Sequence, residues 1–159
     1  MKRSPMKRGA STLKRKPFVK KGKRAKKKTD GQLKKLVWVE FSKFIRTRGA
    51  DDRGFNHCVT CGVIKHWKEL QAGHFIRGRL NANLFSERGV HPQCYSCNIG
   101  KQGDVVIYYG WMLRKYGQSV IDILIAQNSV THKWKAGELE LLLDHYRKLN
   151  AANPLLQEN

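Results

Sequence analysis

Cys58-Val59-Thr60-Cys61-Gly62 has a counterpart in Cys94-Tyr95-Ser96-Cys97-Asn98, and 32 residues, 62 to 93, separate the two turns. A Cys-x-x-Cys turn brings two thiolates to one ion, and two such turns supply the four soft ligands of a closed tetrahedral zinc site. The chain has four cysteines in all, so none remains for a disulfide framework, and the flanks lack the βαβ context of a redox pair. The spacing therefore predicts that Cys58, Cys61, Cys94 and Cys97 hold a structural zinc. That ion would staple segment 62 to 93, too polar and glycine-rich to bury enough surface by itself, to a helix starting near Cys97. A four-thiolate zinc has no open position. Any chemistry must come from side chains between or beside the pairs.

Outward from this cluster, the patterning predicts an α+β domain. Leu33, Leu36, Val37, Phe41, Phe44 and Ile45 recur near the helical period, with Asp30 as the expected N-cap and Gly49 as the stop. His57 to Thr60, Val63 to Trp67 and Ala72 to Ile76 read as short strands broken by Gly62 and Gly73. Helical pattern returns after Cys94: a short piece within Tyr95 to Lys101, then Val105, Val106, Tyr109, Met112, Leu113 and Tyr116 as one apolar face closed by Gly117. Val120, Ile121, Ile123 and Leu124 suggest a further helix, and a last one starts at about Ala136 with Leu139, Leu142, Leu143, Tyr146 and Leu149 inward. Trp38, Trp67, Trp111 and Trp134 read as packing residues rather than a cofactor box.

The charge is uneven. The whole chain of 159 residues carries 32 Lys and Arg against 12 Asp and Glu, a net +20. Residues 1 to 28 hold 14 of those cations and no acid, which leaves 18 against 12 for the rest. Like charges at this density repel, so residues 1–29 are expected to be a disordered arm that neutralises phosphates. A field of this size suits a polyanion better than a small acidic substrate. No run approaches the roughly 18 apolar residues of a membrane span, and no apolar stretch follows the basic start, so a membrane or secreted role is not expected.

Between the pairs run Gln71-Ala72-Gly73-His74-Phe75-Ile76-Arg77-Gly78-Arg79 and Phe85-Ser86-Glu87-Arg88-Gly89-Val90-His91-Pro92-Gln93; after the second pair come Asn98 and Lys101. The order Cys-x-x-Cys, strand His, Cys-x-x-Cys-Asn resembles zinc-stapled HNH, or ββα-metal, nucleases. The stretch from Cys58 to Gly117 more closely resembles the NinG/Rap family of lambdoid-phage recombination nucleases, through Cys58 to Gly62, Ala72 to Phe75, Leu84 to Asn98, Gly103, Tyr109, Leu113 and Gly117. The resemblance implies a ββα-metal core at about 55–104 within a nuclease domain of residues 30–150, followed by a tail, 151–159. It implies an endonuclease that hydrolyses branched recombination intermediates, Holliday junctions or D-loops, in a host-cell cytoplasm close to the nucleoid.

The chemistry of the matched residues accords with that implication. Phosphodiester hydrolysis needs a base for water and a cation at the scissile phosphate. His74 is the candidate base, and Asn98 offers a hard oxygen suited to Mg²⁺ or Mn²⁺. Two family positions differ: the Asp that often precedes the strand His is Gly73 here, and the central Asn that orients that His falls at Gly89, where a backbone carbonyl would have to substitute. His91 is the first candidate to complete the ion's shell, ahead of Glu87 and Asp104. Arg77, Arg79, Arg88 and Lys101 are expected to line a phosphate track that positions DNA without reading bases. A two-fold junction cut twice suggests a homodimer, with the helices after Gly103 as its interface, and recombination proteins as further partners. The alternative is a zinc-containing nucleic-acid-binding or annealing protein without catalysis; an RNA-associated zinc protein is a third reading, since a basic tail does not separate RNA from DNA.

Overall fold

A computed structural model describes residues 27–77 and 82–157. The expected arm falls almost wholly outside the described residues, as does Arg79. The first helix, α1 (Asp30–Thr47), starts one residue earlier than expected. Thr29 is its N-cap, with the Thr29 hydroxyl accepting from the Gln32 N–H and the Gln32 side chain accepting from the Thr29 N–H. That reciprocal pair satisfies two backbone donors at once, which a lone Asp30 would not. Leu33, Val37, Phe41 and Ile45, a strict i, i+4 row, are all buried. Gly49 follows with φ +76°, a conformation glycine adopts without steric penalty.

Two antiparallel hairpins follow. In the first, β1 (Phe55–His57) pairs with β2 (Ile64–His66) around the first cysteine turn. In the second, β3 (Leu70–His74) pairs with β4 (Val90–Cys94), with Gly73 opposite His91 and His74 opposite Val90. The expected strands lie a few residues from the observed ones, and β4 lies in a stretch where sequence patterning predicts none. All five of its residues are buried, so it has no polar alternation to reveal it, and Pro92 argues against a strand.

The β3–β4 hairpin separates two cores. On one side α1, α4 (Ala136–Ala151) and the hairpin bury Phe41, Ile45, Ala72, Val90, Leu139 and Tyr146 together. On the other, Phe75 meets Tyr108 and Met112 of α2 (Val105–Tyr116) and Ile121 and Leu124 of α3 (Gln118–Asn128). The face of α2 that turns inward is not the one the apolar count favours. Tyr108 and Met112 are its buried residues, whereas Val105, Val106, Tyr109 and Leu113 are exposed, Val106 at 82%. The hairpin accounts for this choice, because the buried Tyr108 hydroxyl donates there to the Gly73 carbonyl and accepts from His91 Nδ1–H. Past α4 comes a short 3₁₀ turn, Pro154–Leu156.

Between β4 and α2 lies one π-helical turn, Ser96–Gly100, closed by the Lys101 N–H donating to the Ser96 carbonyl at 2.7 Å. Gln102, Gly103 and Asp104 then all take positive φ, +53°, +92° and +48°. Such a run costs on the order of 1–2 kcal/mol per non-glycine residue and persists only where neighbours fix it. Here Arg77 donates to the Gln102 carbonyl and side chain, Gln93 donates to the Gly103 carbonyl, and Lys101 pairs with Asp104.

Candidate functional site

The two cysteine turns converge. All four Sγ atoms lie within 4.8 Å of one another, and Cys61 Sγ and Cys94 Sγ are 3.8 Å apart. Thiolates at tetrahedral corners about 2.3 Å from a zinc ion stand about 3.8 Å from each other, whereas a disulfide would bring them to about 2 Å. Cys58, Cys94 and Cys97 are buried and Cys61 is exposed. Burial raises the Cys58 thiol, but hydrogen bonds from the backbone of Cys61, the Thr60 hydroxyl and the backbone of Cys94 and Thr60 outweigh it and draw the thiol down to about 6. Burial pushes Cys97 up to about 12, and the sulfurs of Cys61 and Cys94 add to the effect. The protein alone therefore readies one thiolate, and a bound divalent cation lets the others ionise. Four sulfur donors with no oxygen ligand suit zinc and not magnesium.

Asn98 lies in the π-helical turn, one residue past Cys97. Its Nδ2 donates to Gln71 Oε1 at 2.7 Å, which leaves Oδ1 without a hydrogen-bond partner among the described residues. Asn98, Ile99, Leu70, Gln71 and Ala72 form one wall of a hollow of about 360 Å³ whose other wall is Trp38, Ser42 and Arg46 of α1. A second hollow, about 380 Å³, is lined by Lys34, Lys35, Trp38, Val39 and Leu84. Trp38 belongs to both. His74 stacks on Trp38, centroids 5.2 Å apart and planes 9° from parallel, while its Nε2 lies 3.1 Å from the Leu84 carbonyl. With Nε2–H donating to that carbonyl, Nδ1 is the basic nitrogen. The chain thus orients His74 through a backbone carbonyl, as anticipated, but it is Leu84's; the Gly89 carbonyl instead takes the Phe75 N–H. His74 stands three residues beyond Gln71 on β3, about 10 Å of strand.

Gly73 is empty of a side chain for a local reason. A Cβ there would lie 2.0 Å from Gln93 Oε1. Gln93 is fully buried and donates to Thr60 Oγ1 at 2.8 Å and to the Gly103 carbonyl at 2.9 Å, so it cannot yield without breaking both bonds.

His91 does not join Asn98. It is 3% exposed, with Nδ1 2.9 Å from the Tyr108 hydroxyl and Nε2 2.9 Å from the Tyr116 hydroxyl. Burial first, then the charges of Arg48 and Lys115, push its pKa down to about 3. Both nitrogens are occupied, so His91 is corrected from a metal ligand to a structural member of the α2 core. Glu87 is likewise committed, accepting from the Tyr146 hydroxyl at 3.1 Å and pairing with Arg48 at 3.9 Å, and Asp104 pairs with Lys101 at 3.4 Å. Of the cations, Arg77 clamps Gln102 rather than standing free; Arg88 is exposed and without a partner among the described residues. Residues the sequence reading passed over are Trp38, Ser42 and Arg46. With Lys34 they form an i, i+4 row one residue out of phase with the buried stripe, a regular second row that the search for an apolar face ignores.

Among the described residues the cysteine cluster is the one group of three or more His, Cys, Asp or Glu that could hold a metal, and no helix is long and apolar enough to cross a membrane. Fold and site define a mixed helix-and-sheet chain organised around a four-thiolate centre that fits zinc. A family model described as Bacteriophage Lambda NinG protein matches residues 1–153, and the chain belongs to the NinG family. Protein ninG of Escherichia phage lambda is 31% identical over 106 residues, which covers 66% of this chain and 49% of that protein. Protein ninG of Escherichia phage 933W is also 31% identical over 106 residues, and that of Salmonella phage P22 is 28% identical. The chain spans about half the length of these relatives. No solved structure matches it.

Proposed function

We propose that this chain is an HNH-type endodeoxyribonuclease that cuts branched DNA, such as Holliday junctions and D-loops, in a reaction dependent on Mg²⁺ or Mn²⁺. The observation that carries the reading is the order of elements at the cysteine cluster: an antiparallel β3–β4 pair, then a helical turn, with His74 on the strand and Asn98 on the turn. Cys58, Cys61, Cys94 and Cys97 would hold zinc, which fixes the turn that carries Asn98 against the hairpin. His74 Nδ1 would take the proton from the attacking water, and Trp38 and the Leu84 carbonyl hold the ring for that task. A divalent ion at Asn98 Oδ1 would supply positive charge to the scissile phosphate. No carboxylate lines the hollow, so its remaining ligands would come from water and from the DNA itself. Lys34 and Lys35 add cations along α1, so the phosphate track follows that helix, joined by Arg88 and Lys101, while Arg46 is tied to the Trp67 and Leu70 carbonyls; the basic arm adds sequence-independent affinity.

A second copy of the chain is the occupant we assign to the exposed stripe Val105, Val106, Tyr109 and Leu113, because a two-fold junction is resolved by paired cuts. The reaction would take place in the host cytoplasm near the nucleoid, where recombination proteins are further candidate partners.

Gly73 favours one other reading, a zinc protein that binds or anneals nucleic acid without cutting it, because the position before His74 offers no ligand. Incubation with a labelled four-way junction and Mg²⁺ separates the two. Cleavage by the parent chain and not by His74→Ala supports the nuclease; tight binding with no cleavage by either supports the binding protein.

A further inference from the structure

A cavity of about 710 Å³ lies away from His74 and Asn98, between the first cysteine turn and the last turn of α2. Its floor includes His91 and Pro92 of β4, and its rim includes Trp111, Arg114, Lys115 and Tyr116. Among the described residues no Asp or Glu lines it. Arg48, also at the rim, is committed, donating to the Glu87 and Val90 carbonyls at 2.7 and 2.6 Å. Arg114 and Lys115 are exposed and have no hydrogen bond, ion pair or ring contact among the described residues. Gly110 leaves room for the Arg114 side chain to lie along the helix, with Nη1 3.5 Å from where a Cβ would stand. Trp111 is only half-buried, held edge-on against His91 with centroids 4.6 Å apart, which leaves part of the indole at the cavity.

We infer that this cleft is a second nucleic-acid contact that takes an unpaired DNA nucleotide, its phosphate on Arg114 and Lys115 and its base against Trp111. A volume of this size admits a nucleotide-sized ligand. Paired free cations beside a partly exposed indole are the two elements of single-strand binding. Most of the polar groups lining the cleft are already engaged: Asn56 on the Arg46 and Arg48 carbonyls, Thr60 on Cys58 and Gln93, Tyr116 on His91; the exposed His57 also lines it. The cleft therefore has few groups left with which to select a sequence. The inference rests on the nucleic-acid reading above and adds to it a site for the unpaired strand that branched DNA exposes, separate from the α1 hollows.

The test uses the full, zinc-loaded chain with a ten-residue oligothymidylate, followed by anisotropy and tryptophan fluorescence across a salt series, beside a junction-cleavage assay. Arg114→Gln/Lys115→Gln is expected to weaken oligonucleotide affinity about tenfold and to reduce the salt slope by about 0.7, the share of one single-strand phosphate. Trp111→Phe is expected to lose most of the fluorescence quenching. Zinc content and Tm should match the parent. Unchanged affinity and slope in the double variant, or full quenching in Trp111→Phe, overturns the inference. So does a double variant that loses Tm but keeps its affinity, because the two cations would then serve only the C-terminal end of α2. If the parent cuts junctions while the double variant binds as the parent does, the cleft fails and the nuclease stands. If no chain cuts but the double variant loses affinity, the nuclease fails and the cleft stands.

Discussion

Two histidines sit near each other on one hairpin and lead opposite lives. His74 closes β3, half-exposed, on the side of α1, stacked on Trp38. His91 is in β4 opposite Gly73, sealed on the side of α2 between two tyrosine hydroxyls. Sequence alone places both at one catalytic centre, His74 as base and His91 as a ligand of the ion. What separates them is the helix each faces. The α1 side offers hollows lined by Lys34, Lys35, Trp38 and Asn98; on the α2 side both His91 nitrogens meet tyrosine hydroxyls. A half-exposed histidine can do chemistry, whereas one with both nitrogens bonded inside a core holds the core together.

The largest expected effect erases the difference. Stripping zinc with a chelator, or Cys58→Ser, should remove the cooperative thermal transition, because the cluster is the tie between both hairpins and the π-helical turn, and structural zinc sites contribute on the order of 10 kcal/mol. Circular dichroism with a colorimetric zinc-release assay reads this; a sharp transition near the original Tm after complete zinc loss would show that the cluster staples nothing. Next, Gly73→Ala should destabilise by about 3 kcal/mol or more through expulsion of Gln93 from its two bonds, measured by denaturant titration.

The third effect belongs to His91 alone. Its folded pKa of about 3 lies below the usual value of about 6.5, so between those limits the unfolded chain binds a proton that the folded chain refuses. Stability from this group is complete above the unfolded value and declines as pH falls through the window, by up to about 1.4 kcal/mol per pH unit. His91→Gln, which cannot titrate, should flatten the limb between pH 6 and 4; an unaltered limb would place the titration elsewhere. The smallest stability effect is expected at His74. His74→Ala gives up the stack on Trp38 and the bond to the Leu84 carbonyl, together about 1 kcal/mol, yet should lower junction cleavage by 100-fold or more if the proposed base is correct.

The helices and the cysteine pairs were legible because their signals are local. Period and spacing locate α1, α2 and α4 to within a residue or two and name the four cysteines that converge into one cluster. β4 was not legible, because a fully buried strand carrying a proline has neither alternation nor propensity to mark it. The inward face of α2 was misread for a related reason. Tyr108 is drawn in by its bonds to Gly73 and His91 of the hairpin, a tertiary cause, while the richer apolar row stays outside. At the candidate site, His74 and Asn98 were named from motif order. Their setting was not, since Trp38, Ser42 and Arg46 come from a helix 25 residues or more earlier in the chain.

The contact between Gly73 and Gln93 also sets the order in which this hairpin can change. A chain that acquires a carboxylate at 73 while Gln93 stays must pass through a poorly folded intermediate, whereas one that first shortens 93 has a permissive route. Substitutions at these two sites should therefore travel together in a library selected for folding, with the change at 93 arriving first.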